Sequence, residues 1–439
     1  MDIRAIHAVT RFGLGQRGAE APPADPEAWL TSQLEAPDAV LAGHLPDSRS
    51  ALEAIHLVDV GDAQFRKGMI PQAPPYIGDR YQADRKWAIG TLIGSGQPFR
   101  ERLVMFWANH FTVSARAGGA VLALVEAYVA EAIRPHVTGR FEDMLSAVMH
   151  HPGMLYYLDN ATSVGPNSTM GRARGGGLNE NLARECLELH TMGAKSGYTQ
   201  QDVTSFARIL TGWSVDRNNE PRGFVFRPET HEPGPKVLLG QTYPEGHEGG
   251  VAALRWLAHH PATYRRLSEQ LVRHFVADAP DPQDVAHIAG VLTATGGDLK
   301  AATLALIKLP NAWMPLTKFR TPVEYIVAVY RALDFIPATV EDRAKAYATT
   351  EFLGQAFHAA SLPNGWSDVG ADWVGGEDLV RRADWAYTMA GRTDAPDPAA
   401  AAAACGPLLS AETAQQVRRA GSRQEALALL LASPEFMRR

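Results

Sequence analysis

The strongest constraint on the fold lies between Leu178 and Trp213, where the pattern predicts two consecutive amphipathic helices. The second helix begins at a capping box, because Thr199 and Asp202 are three residues apart and an aspartate also favours the positive end of a helix dipole. Apolar residues then recur at helical spacing, at Val203, Phe206, Ala207, Leu210 and Trp213. A helix with this pattern buries one face, so the stretch is predicted to lie against a helical core.

The first helix of this stretch carries charged and amide side chains on one side. At about 100° per residue they form a polar stripe of four residues, Asn181, Arg184, Glu185 and Glu188. Glu185 and Glu188 are like charges on neighbouring turns, and such a pair is mildly unfavourable. We therefore expect either that Arg184 bridges carboxylates or that a cation binds there. The alternative is a solvated face with an Arg184 ion pair.

Two histidines are predicted to face apolar surroundings. His190 lies on the apolar side of the first helix, which favours a buried, hydrogen-bonded histidine unless the helix unwinds before Gly193. His110 ends a helix predicted from Pro98 and shares the side of that helix that packs on the core. A satisfied core histidine is thus the alternative to a site role for His110.

Helical periodicity covers most of the 439 residues, so the predicted fold is mainly α, a large irregular helical domain with a small β excursion near residues 223–240. We expect a single domain over residues 1–439. Within it, the pattern suggests an N-terminal helical part at 1–80, a core at 81–390 and a C-terminal helical part at 405–439.

The β excursion is predicted from two short β-prone runs, Gly223–Phe226 and Lys236–Leu239, separated by prolines. Their spacing predicts a small hairpin or paired excursion that carries His231 at its turn. His231 is therefore a further candidate for a site.

Two long loops interrupt the helices. The loop between Asn160 and Asn179 combines glycines with Arg172 and Arg174 ahead of a helix start, a composition that can hold an anion. A mobile surface loop is the alternative, and no nucleotide-binding motif is present. The second loop, Leu362 to Gly376, contains two tryptophans and is expected to pack against the rest of the chain.

Composition argues against some partners. The formal net charge is −6 and the pI is near 6.2, which gives no electrostatic reason to expect nucleic acid or an anionic membrane. The two cysteines form no CxxC pair, so neither a disulfide framework nor a cysteine zinc motif is expected. No run of about 18 apolar residues predicts a membrane span, and without a signal-peptide core the default expectation is a cytoplasmic protein.

Several motifs together carry a family resemblance. The central stretch reads NENLARECLELHTMG from Asn179, YTQQDV from Tyr198 and LTGW from Leu210. Further motifs are RFGLG from Arg11, FWANHFTVS from Phe106, PGMLYYLDN from Pro152, HEPGPKVLLG from His231, the helix Thr321–Leu333, Asn364–Trp366 and SPEF from Ser433. Along nearly its whole length the chain resembles the bacterial family called domain of unknown function 1800.

The resemblance implies little about chemistry, since the family is named for its unknown function. It does imply one departure, because many members have a histidine where this chain has Ala108. A metal site that needs that histidine together with His110 would be weakened here. The resemblance also implies a sulfatase-like protein partner, with which the chain could be exported.

Three functions remain open. The first is a metal-assisted or hydrolytic enzyme with a site built from Asn109, His110, Asn181, Arg184, Glu185, Glu188 and His231. A divalent metal would bind Glu185, Glu188 and His110. The second is a non-catalytic binding or assembly subunit for the sulfatase-like partner, in which the polar stripe is a structural ion-pair network. The third is a haem or redox protein with His190 or His110 as axial ligand.

Overall fold

The structure, a computed structural model, describes residues 2–69, 76–392 and 394–439. It confirms a mainly α fold with a small β excursion. In these ranges the α-helices, α1 to α22, are Ile3–His7, Pro26–Glu35, Ser48–Arg66, Tyr76–Gly94, Pro98–His110, Gly119–Tyr128, Phe141–His150, Pro152–Tyr157, Thr169–Arg174, Asn181–Glu185, Gln200–Leu210, His247–Ala258, Pro261–Phe275, Pro282–Thr295, Leu299–Ile307, Pro322–Ala332, Val340–Phe352, Gly376–Ala390, Pro398–Ala402, Ala411–Arg419, Arg423–Leu431 and Pro434–Met437.

Three α-helices continue directly into a π-helical turn, a rare conformation that is enriched at functional sites. The turns are Ala8–Phe12 after α1, Val129–Ile133 after α6 and Cys186–His190 after α10. Short 3₁₀ segments join other elements, at Ala39–Ala42, Ala115–Ala117, Arg134–His136, Asn160–Thr162, Pro228–Thr230, Pro310–Trp313, Gly370–Trp373 and Gly406–Leu408.

Local sequence signals explain where the helices begin. The predicted capping box before α11 is present, since the Thr199 side chain accepts from the Asp202 amide and Asp202 accepts from the Thr199 amide. A second capping box, between Thr321 and Glu324, starts α16 with a proline at its first position.

The β excursion pairs differently from the prediction. Strands β1 (Trp213–Asp216) and β2 (Gly223–Phe226) form one antiparallel pair, and β3 (Lys236–Leu238) and β4 (Gln241–Tyr243) form another. The predicted pairing of the second strand with the third is wrong. Each of them pairs with a strand nearer in sequence, β2 with β1 and β3 with β4. His231 lies between the two pairs, not at a hairpin turn.

The glycine-rich loop after Asn160 is more ordered than its composition suggested. It contains helix α9, whose N-cap Ser168 accepts from the Gly171 amide. Asn167 donates two hydrogen bonds to the carboxylate of Glu232, at 2.6 and 2.9 Å, and so ties the loop to the segment after β2.

Buried apolar residues form two clusters. The first contains the aromatic rings of Phe12, Trp107, Phe141, Trp213 and Phe275. The second is built on α16, α18 and α21 and contains Tyr325, Tyr330, Trp385 and Phe436. None of the described helices combines the length and apolar character needed to cross a membrane. The single-domain organisation stays a prediction.

A buried charge network joins α5, from the first cluster, to α16, from the second. Glu324 of α16 is 1 % exposed and pairs with Arg102 of α5 and with Arg439, the latter at 3.0 Å. Burial alone would raise the pKa of Glu324, but Arg439 and Arg102 outweigh burial and hold the pKa well below its usual range. The carboxylate is therefore ionised inside the protein.

We expect Glu324→Gln to lower the free energy of unfolding by about 3–5 kcal/mol, because it leaves two buried guanidinium groups without their shared carboxylate. Chemical denaturation would measure this. The matched control is Glu341→Gln, which breaks an exposed ion pair with Lys345 and should cost about 0.5 kcal/mol or less. Equal effects of the two substitutions would contradict a structural role for the buried network.

Candidate functional site

Asn109 and His110, at the end of helix α5, bind two different segments of the chain. Asn109 holds the second long loop, since its amide donates to the Trp366 carbonyl at 2.9 Å and its Oδ1 accepts from the Trp366 amide at 2.7 Å. Gly365 makes this approach feasible, because it has a φ of +75° and an added Cβ would lie 2.5 Å from the Asn109 carbonyl oxygen. The loop therefore packs against the rest of the chain, as the presence of two tryptophans predicts.

His110 is buried and receives its orientation from the central stretch. Its Nε2 donates to the carbonyl oxygen of His190 at 3.1 Å, so the neutral ring carries no proton on Nδ1. Among the described residues Nδ1 has no hydrogen-bond partner. Burial, reinforced by the nearby Arg266, lowers the pKa of His110 to about 3, so the ring is neutral at physiological pH.

The loop that Asn109 holds also places the carboxylate of Asp368 beside His274. Asp368 accepts a hydrogen bond from Nδ1 of His274 at 2.6 Å. Burial lowers the pKa of His274, although Asp368 opposes that shift. For Asp368, burial raises the pKa but His274 and Lys318 lower it further, so the net shift is downward. An ionised carboxylate thus fixes a neutral imidazole with Nε2 unprotonated, and Nε2 has no partner among the described residues.

Two concave spaces share the segment Trp366–Asp368 and Asn109 as a wall. On one side is a narrow cavity of about 70 Å³, whose lining includes His274, Glu324 and Ala108. On the other side is a groove of about 290 Å³, whose lining includes His110, Leu189, Arg266, Gln270 and Arg273. Ala108 therefore borders the same cavity as His274.

The polar stripe makes ion pairs of the kind found on helix surfaces. Arg184 pairs with Glu180 at 3.1 Å and with Glu188 at 3.5 Å, and these side chains are 27–37 % exposed. Arg184 and Glu180 also bond to Gln200, which links α10 to α11. Burial, followed by the neighbouring Glu188, raises the pKa of Glu185.

The structure does not gather the predicted site into one place. Asn109 and His110 line the groove, but Asn181, Arg184, Glu185 and Glu188 line neither of the two spaces. No group of three metal-binding side chains forms among the described residues, so Glu185, Glu188 and His110 do not assemble as a metal centre. His110 comes from α5 and is buried, whereas Glu185 and Glu188 come from α10 and the π-helical turn after it and are only partly buried.

His231 is fully engaged elsewhere. Its Nδ1 donates to the Thr211 carbonyl at 2.6 Å, and its Nε2 accepts from the Gly246 amide at 3.0 Å and from the Lys236 ammonium at 2.9 Å. With both nitrogens bonded, His231 connects the two strand pairs. Arg172 and Arg174, the predicted anion contacts, are exposed on α9 and line neither the cavity nor the groove.

Comparison with protein families adds a classification. A family model described as "Protein of unknown function (DUF1800)" matches residues 7–438. The chain belongs to the DUF1800 family. No curated protein and no solved structure matches it. The geometry and chemistry of the site are therefore the evidence for the function of this DUF1800 chain.

Sequence pattern does not indicate His274, Asp368 or Arg266 as site residues. His274 and Arg266 lie on α13, where apolar periodicity conceals them among core residues. Asp368 lies two residues beyond the Asn364–Trp366 motif. The position of this motif in the second long loop is the sequence signal that could have indicated a site residue there.

The buried His110 predicts a dependence of stability on pH. Its unfolded pKa is near 6.5 and its folded pKa is about 3, so the unfolded chain binds a proton that the folded chain does not between these values. Stability should therefore fall as the pH drops from 6.5 towards 3, and His110 should contribute up to about 1.4 kcal/mol per pH unit. His110→Gln should flatten this slope in thermal melts, whereas His287→Gln, at an exposed position of α14, should not.

We expect Glu185→Gln and Glu188→Gln to change the free energy of unfolding by no more than about 0.5 kcal/mol, because the stripe is partly exposed. Melting temperature and metal content should be measured on wild type and both variants. A loss of bound metal or of several kcal/mol in either variant would restore the stripe as a site or as a critical network.

Proposed function

We propose that this chain is an enzyme that transfers protons at His274, most simply a hydrolase in which His274 activates a water molecule. The observation that carries the proposal is the 2.6 Å hydrogen bond from His274 Nδ1 to Asp368. It leaves Nε2 unprotonated and without a partner, on a histidine that lines a cavity. A neutral imidazole of this kind is the commonest general base in proteins.

The roles follow from the contacts. Nε2 of His274 takes a proton from water as the water oxygen attacks an electrophilic centre, and the imidazolium then returns the proton to the leaving group. Asp368 is a positioning residue that fixes the tautomer and stabilises the imidazolium. A cavity of about 70 Å³ holds several waters or one small reacting group.

A non-catalytic assembly subunit is the second candidate. It is favoured by the ion pairs of Arg184, which link two helices as a structural network would. A metal requirement, the sulfatase-like partner, the haem or redox role and the cellular compartment stay predictions.

Hydrolysis of a panel of chromogenic carboxyl and phosphoryl esters would test the proposal. We expect His274→Gln and Asp368→Asn each to lower kcat/KM by about 100-fold or more, with the exposed His287→Gln unchanged. The wild-type rate should rise with pH through a midpoint below 6.5, because only the neutral ring acts as a base and burial lowers its pKa.

A second measurement does not depend on a substrate. Nitrogen NMR of the imidazoles should find His274 protonated on Nδ1 and bare on Nε2 at neutral pH. The opposite tautomer, or a His274 pKa above 6.5, would reject a poised general base and leave the assembly role as the better account.

A further inference from the structure

We propose that the groove beside His110 binds a small organic anion that also carries a hydroxyl group. This site goes beyond the proposed function, because the groove is separate from the cavity that His274 lines. Three features support it, namely a cation without an ion pair, a bare ring nitrogen and a wall shared with the cavity.

Arg266 provides the cation. Its Nε donates to the Leu189 carbonyl at 3.1 Å, and the chain leaves room for its guanidinium at Gly193, which has a φ of +92°. A Cβ on Gly193 would lie 3.3 Å from Nη1 of Arg266. Within the described ranges no carboxylate pairs with Arg266, although the side chain is only partly exposed. A held but uncompensated guanidinium is a site for a carboxylate or another oxyanion.

The other two charged groups of the groove lining already have partners. Arg273 pairs with Glu269 at 2.7 Å, and Asp368 accepts the hydrogen bond from Nδ1 of His274. Arg266 is the charged group of the lining without such a partner, and it supplies the first of two requirements on a ligand.

His110 supplies the second requirement. Its Nδ1 is an acceptor without a donor, and the Oε1 of Gln270 nearby in the lining is likewise buried without a partner. A buried acceptor is costly until a donor reaches it. Because both atoms accept, a purely anionic ligand cannot satisfy either of them, whereas a hydroxyl can donate its one hydrogen bond to Nδ1.

The shared wall separates such a ligand from His274. Asn109, Trp366, Ser367 and Asp368 border both the groove and the cavity of His274. An anion anchored at Arg266 therefore lies on the groove side of the segment whose Asp368 orients the proposed base.

Three probes of similar size separate the two requirements. Glycolate has both a carboxylate and a hydroxyl, acetate lacks the hydroxyl, and glycolamide lacks the charge. Titration calorimetry on the full chain should find glycolate binding at least about tenfold more tightly than either of the others, since each loses one charge-assisted or buried hydrogen bond. Nitrogen NMR should show a shift of His110 Nδ1 with glycolate that acetate does not produce.

The variants use neighbouring arginines of one helix. Arg266→Gln should weaken glycolate binding about tenfold or more, whereas Arg265→Gln, at an exposed position, should change it less than about twofold. Melting curves check that both variants fold. Equal weakening by both variants, equal binding of acetate and glycolate, or no binding of glycolate to wild type would overturn the proposal.

The outcome is independent of the catalytic test. His274→Gln should keep glycolate affinity within about twofold, because His274 does not line the groove. Loss of glycolate binding in Arg266→Gln without effects of His274→Gln on hydrolysis would keep the anion site and reject the base. The reverse result would keep the base and reject the anion site.

Discussion

The ion pairs of the Glu324 carboxylate are the interactions on which this structure depends most directly. The carboxylate accepts from Arg102 of α5, from Arg439 and, through Oε2, from the amide of Thr321. Desolvating these charges costs several kcal/mol per ion, and their mutual attraction offsets the cost only when all partners are present. The network fixes α5 against α16. Helix α5 in turn carries Asn109 to the wall between cavity and groove, and His110 to the groove.

The central motif acts through its backbone more than through its charged side chains. After Glu185 the helix continues as a π-helical turn, and a helix C-terminus leaves carbonyl oxygens without intrahelical partners. Two of these carbonyls are used by the groove, Leu189 for Arg266 and His190 for His110. The motif is thus a support for two side chains that come from other helices.

Sequence pattern predicted helices, caps and short strands because these depend on neighbours within a few residues. Thr199 and Asp202 predict the start of α11, and the pattern from Pro98 predicts the helix that ends at His110. The pairing of His274 with Asp368 could not be predicted in this way, since the two residues are 94 positions apart and His274 sits on an apolar helix face. The charges of the polar stripe are visible in the sequence, whereas the burial of a single imidazole is not.

Burial gives the two proposed functional histidines the same charge but opposite tautomers. His110 donates through Nε2 to a carbonyl, so its bare nitrogen is Nδ1, whereas His274 donates through Nδ1 to a carboxylate, so its bare nitrogen is Nε2. The ring of Phe106 lies near both, with centroids 6.5 and 5.2 Å away. A carbonyl partner stabilises an imidazolium less than a carboxylate does. His274 is therefore suited to accept a proton during a reaction, and His110 is suited to remain neutral and accept a hydrogen bond.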